Sequence, residues 1–184
     1  MAAARRRWAA ELLHYWFHVL RPGDWFRVDA AIDRELRRRF GRDLAMLRKR
    51  PARESLGDPL TAFAAVLLFD QVPRNIHRNA AEAFASDALA RAIAGGIVQR
   101  GWDRGLTKAE RQFAAMPLMH SEAIADQRAS LVAFASLGNR YGWRFARAHY
   151  RMIAQFGRFP HRNEALGRRS SPAERRAIAQ GFVW

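Results

Sequence analysis

Asp58-Pro-Leu-Thr-Ala-Phe-Ala-Ala-Val-Leu-Leu-Phe-Asp-Gln-Val-Pro-Arg-Asn75 is the stretch that decides the fold class. Asp58 is a helix N-cap: its carboxylate accepts backbone N–H groups that the first turn cannot pair internally. Pro59 suits the first helical position, where a missing N–H costs nothing. Leu60, Phe63, Ala64, Leu67 and Leu68 then repeat at i, i+3, i+4, i+7 and i+8, which lines one side of an α-helix. Pro73 disfavours helical geometry in the residue before it, so the helix is expected to end by Val72.

The same signals recur along the chain. An opening helix is read near residues 8–20, stopped by Arg21-Pro22-Gly23. Asp24 is the expected cap of a second helix whose stripe is Ile32, Leu36 and Phe40. Ser86 or Asp87 opens a short helix closed by Gly95-Gly96. Thr107-Lys-Ala-Glu110 and Ser171-Pro-Ala-Glu174 are capping boxes, and Gly181 can stop the helix that the second one starts. No stretch alternates convincingly as a strand. The expected fold is all-α: a single domain over residues 1–184, with residues 1–7 as a flexible N-terminal arm.

A helix is also expected over residues 117–137. Leu118, Met119, Ile124, Leu131, Val132 and Phe134 surround its whole circumference, the mark of a helix buried in the middle of a bundle. It carries His120, Ser121, Glu122, Asp126, Gln127 and Arg128 as well, and buried polar groups need partners at about 1–3 kcal/mol each.

Composition narrows the function classes. A chain of 184 residues that is 49% apolar can bury a full core. With no cysteine it has no disulfide, thiolate metal site or cysteine nucleophile. The longest apolar stretch, residues 60–69, is far short of the roughly 20 residues of a membrane span. Arg5, Arg6 and Arg7 are not followed by the apolar core of a secretory signal. The reading is a soluble, cytoplasmic protein with no membrane partner. The net charge of +15 is almost entirely arginine, dispersed along the chain, and no recognition-helix, zinc-finger or RNA-binding signature accompanies it. Specific nucleic-acid binding is not expected; non-specific attraction at low salt is.

Two segments echo each other: Phe69-Asp-Gln-Val-Pro-Arg-Asn75 and Phe156-Gly-Arg-Phe-Pro-His-Arg-Asn163. Between them lies a third proline-led segment, Pro117-Leu-Met-His-Ser-Glu122. These three, in this order, with Leu166-Gly-Arg168, Tyr15-Trp-Phe17 and Asp24-Trp-Phe26, resemble the bacterial family called domain of unknown function 924. The resemblance covers nearly the whole chain. It implies a right-handed array of antiparallel helices, similar to tetratricopeptide-repeat folds, and implies no activity. The chain itself shows neither a clean 34-residue repeat nor the Trp-Leu-Gly-Tyr consensus of such repeats.

Arg74-Asn75 and Arg162-Asn163 have a structural reading, in which Arg pairs with helix-end carbonyls and Asn accommodates a turn. They also have a functional one, in which Arg74, Arg158 and Arg162 form a fork-shaped receptor for a carboxylate or phosphate. Asp70 is either an internal partner of those arginines or part of a site. His120 and Glu122 would point about 160° apart on one helix, which argues against joint action on one atom unless the helix starts later. His149 lies on the apolar stripe Phe145, His149, Met152, Ile153 and Phe156 and reads as a hydrogen-bonded core histidine. His161 sits in a turn, better exposed for proton transfer. His14 and His18 have chelating i, i+4 spacing but no acidic third ligand nearby, so no metal is assigned. Nucleotide-loop, dinucleotide and nucleophile-elbow patterns are absent, and no cofactor is assigned.

The leading expectation is a polar site that binds a small anionic ligand or an acidic peptide terminus. Its ligand-binding residues are Asp70, Gln71, Arg74, Asn75, Arg158, Arg162 and Asn163, with His120, Glu122 and His161 as the candidates for any catalysis. The alternatives are a hydrolase or lyase using one of those histidines beside Glu122, and a protein–protein scaffold.

Overall fold

Side-chain caps decide where the helices begin. In the computed structural model, which describes residues 2–181, the Asp58 carboxylate accepts the Thr61 N–H at 3.0 Å and opens a helix at Pro59. Thr107 and Glu110 form the expected reciprocal box (3.3 and 2.7 Å), as do Ser171 and Glu174 (3.2 and 2.7 Å). Eight α-helices result among the described residues, with no strand: α1 (Ala2–His14), α2 (Ala30–Leu47), α3 (Pro59–Ile76), α4 (Asp87–Gln99), α5 (Lys108–Met119), α6 (Ile124–Ser136), α7 (Arg140–Phe156) and α8 (Pro172–Ala179). None of them is long and apolar enough to cross a membrane.

The chain forms two compact units, one of residues 2–78 and 82–106, the other of residues 79–81 and 107–181. In the first unit α3 is the central element and packs against α1, α2 and α4. Every residue from Ala62 to Pro73 is buried. Leu36, Phe40 and Leu44 of α2 face it at i, i+4 and i+8 and are buried too. Each large apolar side chain so placed contributes on the order of 1.5–3 kcal/mol relative to exposure.

The helix boundaries differ from expectation at several points, each for a local reason. Asp29, not Asp24, caps α2 through the Ala31 and Ile32 amides (2.8 and 3.3 Å); Asp24 instead accepts the Arg21 N–H at 2.9 Å and closes the Arg21-Pro22-Gly23 turn. α1 begins at Ala2, so residues 2–7 lie within it, while Met1 is outside the described residues; a π-helical turn, Tyr15–Val19, follows. α4 runs through Gly95-Gly96 to Gln99. Gly96 serves packing there, because a Cβ at this position would lie 2.6 Å from a Leu56 methyl. The chain turns instead at Gly101, with φ of 67°.

The largest correction concerns residues 117–137. They do not form one buried helix: α5 ends at Met119 and α6 starts at Ile124, with Ile124 and Val132 37% and 72% exposed. The helix that is apolar all round and central is α3. The polar residues make the break between α5 and α6. Ser121 donates to Asp126 at 2.6 Å and accepts the Ala123 N–H at 3.1 Å. Fully buried Gln127 sends its amide to the Met119 and Ser121 carbonyls at 2.7 and 2.6 Å, satisfying acceptors at the end of α5.

In the second unit α6 packs on α5 and α7, and Met152, Ile153, Phe159 and Ala177 form a core that Phe156 covers. Gly157, with φ of 68°, ends α7 in the left-handed conformation.

Gln127→Ala removes the amide that joins α5 to α6 and opens a small cavity. A loss of about 2–4 kcal/mol is expected from urea unfolding, with Arg128→Ala, exposed beside it, within about 0.5 kcal/mol of wild type.

Candidate functional site

In the first unit, the Pro-Arg-Asn segment lies inside a helix rather than after one. Pro73 has no N–H to donate, yet α3 continues for another turn. The two residues after it reinforce the carbonyls around the interruption: Arg74 Nη1 donates to the Asp70 carbonyl at 2.6 Å, and Asn75 Nδ2 to the Gln71 carbonyl at 3.0 Å. Arg74 also grips Asp87, at the start of α4, with two parallel bonds of 2.9 Å, and lies 3.4 Å from the Asp70 carboxylate. Burial alone would lower the Arg74 pKa; Asp70 and Asp87 more than offset it and raise the pKa above its ordinary value. Asp70 is fully buried and accepts from Gln71 Nε2 at 2.5 Å. Asn75 Oδ1 accepts from Arg78, which grips Asp33 of α2 at 2.6 and 2.8 Å. The expected ligand residues of this segment thus bind α2, α3 and α4 together.

In the second unit, the motif residues divide between two carboxylates. Both oxygens of Glu122 are 2.9 Å from Arg168 Nη1, and one accepts the Phe159 N–H at 3.0 Å. Burial pushes this carboxyl up, but the Arg168 and Phe159 bonds and the charges of Arg168 and Arg162 leave it below its ordinary value. Arg158 makes two bonds to Glu174, at 2.7 and 3.0 Å, and one to the Arg169 carbonyl. Asn163 is buried, donates to Ser170 Oγ at 3.1 Å, and also bonds Glu174. Its backbone carbonyl accepts the Arg168 backbone N–H at 2.7 Å.

Around the fully buried Phe159 ring, the same unit gathers imidazoles and a guanidinium. Arg162 is buried with its guanidinium carbon 4.4 Å from the ring centroid, and the half-buried His161 ring is 5.6 Å away. His149 meets the ring edge-on at 5.4 Å, and His120 lies 6.1 Å from His149. The Phe145 carbonyl is 2.9 Å from His149 Nδ1 and can only accept, so Nδ1 carries the proton and a neutral ring leaves Nε2 as an acceptor. Burial, then the charges of His120, Arg162 and His161, push the His149 pKa well below its ordinary value. His149 is a core histidine, as its stripe suggests, yet it belongs to a cluster of four groups able to carry positive charge.

Asp87, Arg168 and Glu174 hold these motifs and are absent from the expected site. Arg168 was legible in Leu166-Gly-Arg168, and Glu174 was hidden by its second duty in a capping box. Asp87, 13 positions from Arg74, left no local signal. His14 and His18 stack with centroids 5.5 Å apart, and no group of three or more metal-ligating side chains occurs among the described residues.

The family model described as "Bacterial protein of unknown function (DUF924)" matches residues 12–181, which include all three proline-led segments. No curated protein matches the chain. Among solved structures, that of a protein of unknown function from Agrobacterium tumefaciens is similar, with 34% sequence identity and a TM-score of 0.90. The match covers 98% of this chain and 100% of that one.

The Arg158 hydrogen bonds lead the effects that push the Glu174 carboxyl from 4.5 down to about 2, against burial, which raises it. A carboxylate with a depressed pKa contributes stability above its unfolded value and loses it as pH falls through the folded one. Acid titration of stability is therefore expected to fall between 4.5 and about 2. Glu174→Gln should be less stable at neutral pH and flatter through that window, as read by circular dichroism in urea at stepped pH.

Proposed function

The chain belongs to the bacterial DUF924 family, and we propose that it binds a small anionic ligand through the His/Arg cluster of its second unit. The observation that carries this reading is the convergence of His149, His161 and Arg162 around one buried aromatic ring, with His120 beside His149. An anion bound there would meet the Arg162 guanidinium and imidazoles that gain positive charge on protonation. A guanidinium adds forked donors suited to carboxylate and phosphate oxygens. Asn163, beside Arg162, has a buried side-chain oxygen with no hydrogen-bond partner, an acceptor for a protonated ligand oxygen.

Other observations narrow the site. Arg74, Arg158 and Arg168 bind Asp87, Glu174 and Glu122, and the receptor is centred on Arg162 because it is the arginine that lies within the imidazole cluster, over the Phe159 ring. The bonding of Glu122 also weighs against the hydrolase or lyase alternative. A carboxylate held by Arg168 and an amide, with its pKa lowered, is a weak proton acceptor at neutral pH. Binding is the simpler role.

Anion binding raises the pKa of adjacent imidazoles, His149 among them, so it takes up protons and tightens as pH falls. Thermal unfolding with phosphate, pyrophosphate, citrate and N-acetyl-aspartate tests this. A binding anion at about ten times its dissociation constant should raise the midpoint by roughly 3–6 °C, more at the lower pH. Arg162→Gln should abolish the shift and His161→Gln should weaken it. If no anion shifts the wild type and Arg162→Gln only destabilises it, the cluster is structural.

A further inference from the structure

Helix α7 reads Arg140-Tyr-Gly-Trp-Arg-Phe-Ala-Arg-Ala-His-Tyr-Arg-Met-Ile-Ala-Gln-Phe156 and contains no acidic residue. Arg140, Arg144, Arg147 and Arg151 recur at i, i+4, i+7 and i+11, and all four are exposed. At 100° per residue they fall within roughly 60° of one another and form a straight ladder about 16 Å long. None of the four makes an ion pair among the described residues. Arg7, Arg27, Arg38, Arg39, Arg50, Arg74, Arg78, Arg158 and Arg168, by contrast, each pair with a carboxylate.

The ladder works against the helix that carries it. Like charges three and four positions apart repel, and Arg140 sits in the first turn, at the positive end of the helix dipole. Local stability therefore does not explain it; a polyanion laid along it would offset both effects. Aromatic groups flank the row. Tyr141 is 63% exposed with its ring 4.8 Å from Phe145, and Arg147 stacks over Trp143 at 4.6 Å. At its far end a groove between α7 and α8, lined in part by Arg151, Gln155, Arg176 and Gln180, extends the cationic surface.

We infer that this face binds the phosphodiester backbone of single-stranded nucleic acid without sequence preference, with Tyr141 and Phe145 as a stacking surface for bases. A row of cations that tracks a backbone beside exposed rings is the combination such strands require. An acidic peptide would use the charges but not the rings. A membrane surface fits less well, because the apolar face of α7 (Ala146, His149, Met152 and Ile153) is already buried in the core and cannot enter lipid.

The test is fluorescence anisotropy of a labelled 15-nucleotide oligo-uridylate and oligo-thymidylate with the full chain across a salt series. Four phosphate contacts give a slope of log affinity against log salt near −3, at about −0.7 per contact on single strands. Arg144→Ala/Arg147→Ala should lose at least tenfold in affinity and about half the slope, and Arg140→Ala/Arg151→Ala should do the same. Both should keep or raise the thermal midpoint, since repulsion is relieved. Tyr141→Ala should weaken binding several-fold at an unchanged slope. Arg48→Ala/Arg53→Ala, an equal loss of charge in the other unit, should stay within twofold of wild type. An equal loss in that control would assign the binding to net charge and overturn the proposal. So would equal competition by polyglutamate of the same length, or capture by vesicles with 30% phosphatidylserine in the absence of oligonucleotide binding.

Discussion

The partly buried guanidinium of Arg74 is the constraint on which the first unit depends. It lies where α3, interrupted by Pro73, meets the start of α4, and it satisfies the Asp70 carbonyl, the Asp70 carboxylate and Asp87 together. Asp70 is fully buried, and an uncompensated buried carboxylate costs several kcal/mol. Arg78 repeats the device one turn later and ties the same helix end to Asp33 of α2. Apolar burial holds the body of α3, while ion pairs with fixed geometry hold its end in register.

The second unit applies the same rule to a loop. Glu122 leaves the break between α5 and α6 to meet Arg168 and the Phe159 amide; Glu174 leaves the start of α8 to meet Arg158. These pairs fix the turn carrying His161 and Arg162 against the buried Phe159 ring. The candidate site follows from this bracing: the loop that the two carboxylates hold brings His161 and Arg162 to the Phe159 ring beside His149.

Capping chemistry made much of this legible from sequence. Asp58-Pro59 and the boxes at Thr107 and Ser171 act within one turn, so a short window contains the whole interaction. Pro73 misled because a backbone preference of one residue is overridden where the surrounding helix is wholly buried and the side chains of Arg74 and Asn75 supply extra bonds. The break between α5 and α6 was hidden for a related reason. Gln127 reads as an ordinary helical residue, and its role depends on reaching carbonyls six and eight positions back. The echo between Pro73-Arg-Asn75 and Pro160-His-Arg-Asn163 is one of composition only, because the first lies within a helix and the second in a 3-10 turn beyond Gly157. Pairings across the fold, such as Arg74 with Asp87 and Glu122 with Arg168, lie beyond what spacing can reveal.

A double-mutant cycle on Arg74 and Asp87 tests most directly whether ion pairing, rather than apolar packing, secures the helix end. Urea unfolding of wild type, Arg74→Ala, Asp87→Ala and the double variant gives the coupling free energy. A coupling of about 2 kcal/mol or more is expected, with the double variant little worse than Arg74→Ala alone. Additive losses within about 0.5 kcal/mol would contradict it and leave apolar burial as the agent that holds α3 in place.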